Sequence, residues 1–99
     1  MSLKYAQQAH RIAPNSVAVI DTLAWSLIHN GKNKDAVGYL EEIYTSTDIP
    51  SVHYHYAVGL YNISQYKKAK IILSELIKSN TAFEEQDEAK SLLEKIERM

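Results

Sequence analysis

The chain has 99 residues, a net charge of −1 and no cysteine. That length suits one small domain with a single modest core. The near-neutral charge excludes a broad basic field for nucleic acid or an anionic membrane, and the missing thiols exclude disulfides and thiolate metal sites.

With 45% apolar and 23% charged residues, the composition is that of a folded chain rather than a disordered one. No apolar run reaches the length of a bilayer span, and no secretory leader opens the sequence. Only two prolines and three glycines interrupt it, which predicts long helices and short loops.

The first predicted helix runs through Tyr5, Ala6, Ala9 and Ile12 and stops at Ala13-Pro14, because a residue before proline is pushed out of the helical region. Over 16–30, Ile20, Leu23, Ala24, Leu27 and Ile28 form one stripe of an amphipathic helix. Asn15 or Ser16 is placed to cap its start, and Asn30-Gly31 to end it. A third stripe is Ala36, Val37, Leu40, Ile43 and Tyr44, broken by Ser46-Thr47-Asp48.

Pro50 suits the first turn of a fourth helix, where its missing N–H is not needed. The run VHYHYAVGLY, 52–61, alternates His and Tyr as a strand would. However, His53, Tyr56, Ala57 and Leu60 keep the helical period, and Ala57-Val58-Gly59-Leu60 breaks the alternation. Ala69, Ile72, Leu73, Leu76 and Ile77 mark a fifth helix closing near Ser79-Asn80. Ala89, Leu92, Leu93 and Ile96 mark a sixth, from Glu84 to Arg98, acidic at its start and basic at its end, as the helix dipole favours. No linker separates the six, so residues 1–99 read as one all-α domain.

One pattern occurs twice. Ile20, Leu23, Ala24 and Leu27 align with His53, Tyr56, Ala57 and Leu60, each pair 33 positions apart. Ala36, Leu40 and Ile43 align in the same register with Ala69, Leu73 and Leu76. Recurrence on this scale signals stacked helical hairpins, none of which can bury its apolar face alone.

On these residues the chain resembles the tetratricopeptide repeat family, over nearly its whole length. The resemblance implies a superhelix of antiparallel hairpins: 1–14 the end of a partial repeat, 15–48 and 49–81 two full repeats, and 82–99 a capping helix. Starting inside a repeat, the chain reads as a piece of a longer array. It departs from the family pattern where Ile20 or His53 replaces the usual Trp, and Ala24 or Ala57 the usual Gly. The closing Pro is kept at Pro14 but is Asp48 and Thr81 in the full repeats.

His53 and His55 point about 200° apart on a helix, so one helix cannot offer both to a metal. No spaced metal-ligand motif is present, and neither a metal nor a cofactor is expected. His53 reads as a packed core histidine. His55 leans toward a partner or solvent, His29 sits at a helix end, and His10 reads as a surface residue. Asp21, Ser26 and His29 could be assembled into a nucleophilic set on paper, but nothing in their spacing selects them. An enzyme would need a convergent, partly buried His–carboxylate pair, which the helical spacing does not supply. Lys67, Lys68 and Lys70 read as a solvated face, offset by nearby acids.

The resemblance places the first helix of each hairpin on the concave side. It thereby implies a partner-binding groove lined by Asp21, Trp25, Ile28, His29, Tyr54, His55, Val58, Tyr61 and Asn62. Aromatic side chains there give a large contact area at low entropic cost. The lysine, arginine and asparagine clamp by which some family members hold a terminal carboxylate is absent, since Asp21, Trp25, Tyr54 and Val58 stand at those positions.

The expected function is a non-catalytic scaffold for a peptide or protein segment, without nucleic acid or direct membrane insertion. The rival reading is a structural or self-associating segment, a homodimer contact included. A shorter similarity, Asp21-Thr22-Leu23-Ala24-Trp25, is to bacterial repeat proteins of envelope and exopolysaccharide export, and it implies a periplasmic parent as one option beside a cytoplasmic one.

Overall fold

The computed structural model describes residues 2–79 and 82–99. It holds six α-helices: α1 (Leu3–Ile12), α2 (Val17–His29), α3 (Asn33–Ile43), α4 (Pro50–Asn62), α5 (Tyr66–Lys78) and α6 (Gln86–Glu97). No strand occurs among the described residues. Each helix packs on the next, and α2 also touches α4. Short connections fold neighbours back on each other, giving an array of antiparallel hairpins. The array measures 40 × 25 × 20 Å.

Local chemistry fixes the ends. Ser16, not Asn15, caps α2, its Oγ accepting the Val19 N–H at 3.3 Å. At the other end Gly31 adopts φ 76°, its N–H donates to Ile28 O, and the Lys32 N–H donates to Leu27 O. This double closure recurs 33 positions on. There Ser64 takes φ 67° and donates to Tyr61 O, while Gln65 donates to Leu60 O. The two hairpins therefore repeat in backbone geometry as well as in sequence.

The core is built mainly from the stripes read from the sequence, though Ile28, Tyr44, Ile77, Leu92 and Leu93 are only half-buried, Tyr5 and Ile12 of α1 are exposed, and Val52 and Tyr54 join it from outside the stripes. Ile20, Leu23, Ala24 and Leu27 of α2, and Ala36, Val37, Leu40 and Ile43 of α3, are buried. So are Tyr56, Ala57 and Leu60 of α4, and Ala69, Ile72, Leu73 and Leu76 of α5. Ala89 and Ile96 of α6 close the far end.

Two boundaries differ from expectation. A short 3-10 turn, Tyr44–Ser46, follows α3, held by the Ser46 hydroxyl donating to Ile43 O. And α6 starts at Gln86 rather than Glu84, with Glu85 at its N-cap making no capping bond. The Glu85 carboxylate is engaged elsewhere, as described below. Asn80 and Thr81, at which the fifth helix and second repeat were expected to close, lie outside the described residues.

Candidate functional site

The fourth helix carries the chemistry. His53 and His55 point to opposite sides, as the helical reading requires. His53 is half-buried and its Nε2–H reaches the carbonyls of Tyr44, at 2.8 Å, and Thr47, at 2.7 Å. Both partners only accept, so Nε2 carries the proton. His53 therefore pins the 3-10 turn to α4, a structural role.

His55 departs from expectation. It was expected to lean toward a partner or solvent, but only 6% of it is exposed. Its Nδ1 lies 2.8 Å from Asp21 Oδ1 of α2, and its Nε2 lies 2.7 Å from Glu85 Oε2. Glu85 Oε1 accepts the Ser51 hydroxyl at 2.7 Å. Ionised carboxylates only accept, so each bond needs a proton on the ring nitrogen that faces it. Trp25 stacks on the ring, with centroids 3.9 Å apart and planes 20° from parallel. Three elements thus close around one side chain, and their convergence buries it.

The convergent His–carboxylate pair that helical spacing could not supply is supplied by tertiary contact. Its geometry is closed. Both ring nitrogens face carboxylates, the Ser51 hydroxyl points to Glu85 rather than to the ring, and Trp25 covers one face. Because the two carboxylates lie on opposite nitrogens, they cannot converge on one ion. Among the described residues no group of three or more His, Asp or Glu is placed to hold a metal. Asp21, Ser26 and His29 border one recess, yet Asp21 bonds His55, and His29 meets Trp25 edge-on at 4.8 Å.

The nine residues expected to line a groove fall into two recesses and one packing contact. The first recess, about 570 Å³, is bordered by Asp21, Trp25, His29 and His55 together with Leu3 and Thr22. The second, about 460 Å³, lies between α4 and α6 and is bordered by Tyr54, Val58, Tyr61 and Asn62 opposite Asp87, Glu88, Leu92 and Lys95. Ile28 borders neither recess. It packs toward Gly59, where an added Cβ would lie 3.6 Å from Ile28 Cδ1.

Trp25 and Tyr54, with ring centroids 6.1 Å apart, join the recesses. Tyr54, expected to open onto the groove, is instead buried, with Trp25 on one side and the second recess on the other. Burial, and then the negative charges of Glu88 and Glu85, hold its phenol above the usual tyrosine range. Trp25, Val58 and Tyr61 stay half-buried, while His29 and Asn62 are exposed.

Sequence reasoning missed Glu85 and Ser51. Glu85 lies 30 positions from His55, and Asp21 lies 34 from it. No helical period connects such distances, and an acid before α6 reads simply as a favourable charge at a helix start.

Compared with known proteins, the chain matches no family model, no curated protein and no solved structure. Among the described residues, no helix is long and apolar enough to cross a membrane.

Proposed function

We propose that the chain is a non-catalytic, tetratricopeptide-like scaffold that binds a peptide or protein segment along its first-of-pair helices, α2 and α4. One observation carries the reading. Trp25 and Tyr61 stand half-buried on these two helices, each bordering a recess, with Tyr54 between them. Half-buried aromatics held by their neighbours offer apolar area without needing to be ordered on binding.

The polar groups beneath them, Asp21, His55, Glu85 and Ser51, are already bonded to one another, so they hold the aromatics in place rather than act on a substrate. Asp21 and His29 at the first recess and Asn62 at the second supply the polar rim.

The test is selection of binders from a displayed peptide library, followed by calorimetric titration of the best one. Trp25→Ala and Tyr61→Ala should each weaken binding by about tenfold or more, the usual cost of truncating an aromatic anchor. Unchanged affinity in both variants overturns the reading.

A further inference from the structure

The recess between α4 and α6 is chemically lopsided. Tyr54, Val58 and Tyr61 of α4 and Leu92 of α6 give it apolar walls. Its rim carries Asp87 and Glu88, from the first turn of α6, and Lys95 further along the same helix. A helix start favours acids whatever they face, so Asp87 and Glu88 alone specify nothing. Three further observations give them a use.

The first is Tyr54. It borders the recess, only 8% of it is exposed, and its hydroxyl makes no hydrogen bond among the described residues. Besides burial, the charges of Glu88 and Glu85 bear on that phenol, so the acidic field reaches the buried ring. The second is the state of the acids. Glu85 is engaged by His55 and Ser51, whereas Asp87 and Glu88 are exposed and form no ion pair among the described residues. The third is Lys95. Its ammonium stands 5.4 Å from the centroid of the Tyr61 ring, so the chain already lays one cation on this aromatic wall.

These features suit an organic cation better than a metal ion. Two carboxylates beside apolar walls fall short of the oxygen shell that a hard cation takes. Among the described residues no group of three or more His, Asp or Glu is placed to hold a metal. A basic side chain uses every part of the recess: its alkyl stem covers the apolar walls, and its charged head meets ring and carboxylate. The volume of about 460 Å³ lies within the range of about 300–1,000 Å³ usual for ligand sites.

We propose, resting on the groove reading, that the α4–α6 recess receives a basic side chain, an arginine or lysine of the bound segment, with its stem against Tyr54 and Val58 and its charge at Asp87 and Glu88. The partner is thereby specified as a segment with a basic residue within reach of the part that meets Trp25.

The probe is the best peptide from a displayed library, resynthesised with its basic residues replaced one at a time, arginine by citrulline and lysine by norleucine. In calorimetric titration at low salt, one replacement is expected to weaken binding by about tenfold or more. In the double variant Asp87→Asn with Glu88→Gln, exposed changes that leave the core intact, the same replacement should cost little, because its partners are gone. Selected peptides without a basic residue overturn the proposal, as does an equal loss with and without the two acids. The two readings fail separately. Weakening by Trp25→Ala with no coupling to Asp87 and Glu88 keeps the groove and overturns the basic side chain. Coupling that persists while Trp25→Ala and Tyr61→Ala change nothing supports the basic side chain and overturns the groove. Failure to select any binder overturns both.

Discussion

His55 shows how one side chain can bind three elements. Removing it would leave Asp21 and Glu85 facing each other across a void, two charges with side chains only 17% and 23% exposed. His55→Ala is therefore expected to destabilise the fold by about 2–3 kcal/mol, toward the lower end for breaking a buried ion pair because both acids keep some water. Urea denaturation measures that loss. Tyr56 presents the opposite case. It is fully buried, and no partner lies within hydrogen-bond distance of its hydroxyl among the described residues, although the hydroxyl is near enough to the Lys68 ammonium to help hold that lysine's pKa up; the position aligned with it in the first repeat is Leu23. An unpaired buried hydroxyl costs stability. Tyr56→Phe should leave the fold unchanged or raise its stability by up to about 1 kcal/mol, seen as a higher denaturation midpoint.

At the scale of the helix, the two matched closures differ in one residue. Gly31 reaches a positive φ without strain, whereas Ser64 must hold its Cβ against the following carbonyl. Ser64→Gly is expected to stabilise the chain by about 1 kcal/mol, and Gly31→Ser to destabilise it by a similar amount, both read from thermal unfolding. The crossing of α3 and α4 is tighter still. A Cβ at Gly59 would lie 2.9 Å from Val37 Cγ2, and a valine on a helix has little rotamer freedom to retreat. Gly59→Ala should cost about 1 kcal/mol net, despite the better helix propensity of alanine, and Val37→Ala should relieve the clash in the double variant.

These elements also show what the sequence could reveal. The stripes of α2 to α6 were legible because a helix buries residues at its own period, a local property. The double closure at Gly31 was legible for the same reason, but its twin at Ser64 was not, since serine does not announce a positive φ. The environment of His55 was illegible because its two partners come from helices far along the chain. The exposed reading of Tyr54 failed with it, since the same convergence of α2, α4 and α6 buries both.

Over the whole molecule, the repeat explains both why the array holds together and where it stays open. Each helix covers part of a neighbour, so the array is closed where two neighbours are present and more open along α1 and α6, where one is. The proposed groove runs across the first-of-pair helices, and the basic lysines of α5 lie on the second-of-pair helix, away from it. A bound segment should therefore perturb α2 and α4 and leave α3 and α5 unaffected. The most direct measurement is an amide chemical-shift map of the chain titrated with its best library-selected peptide. The account predicts saturable shifts concentrated around Trp25, Val58, Tyr61 and the Trp25 indole N–H. Shifts concentrated on α3 and α5, with the Trp25 indole unmoved at saturation, would contradict it.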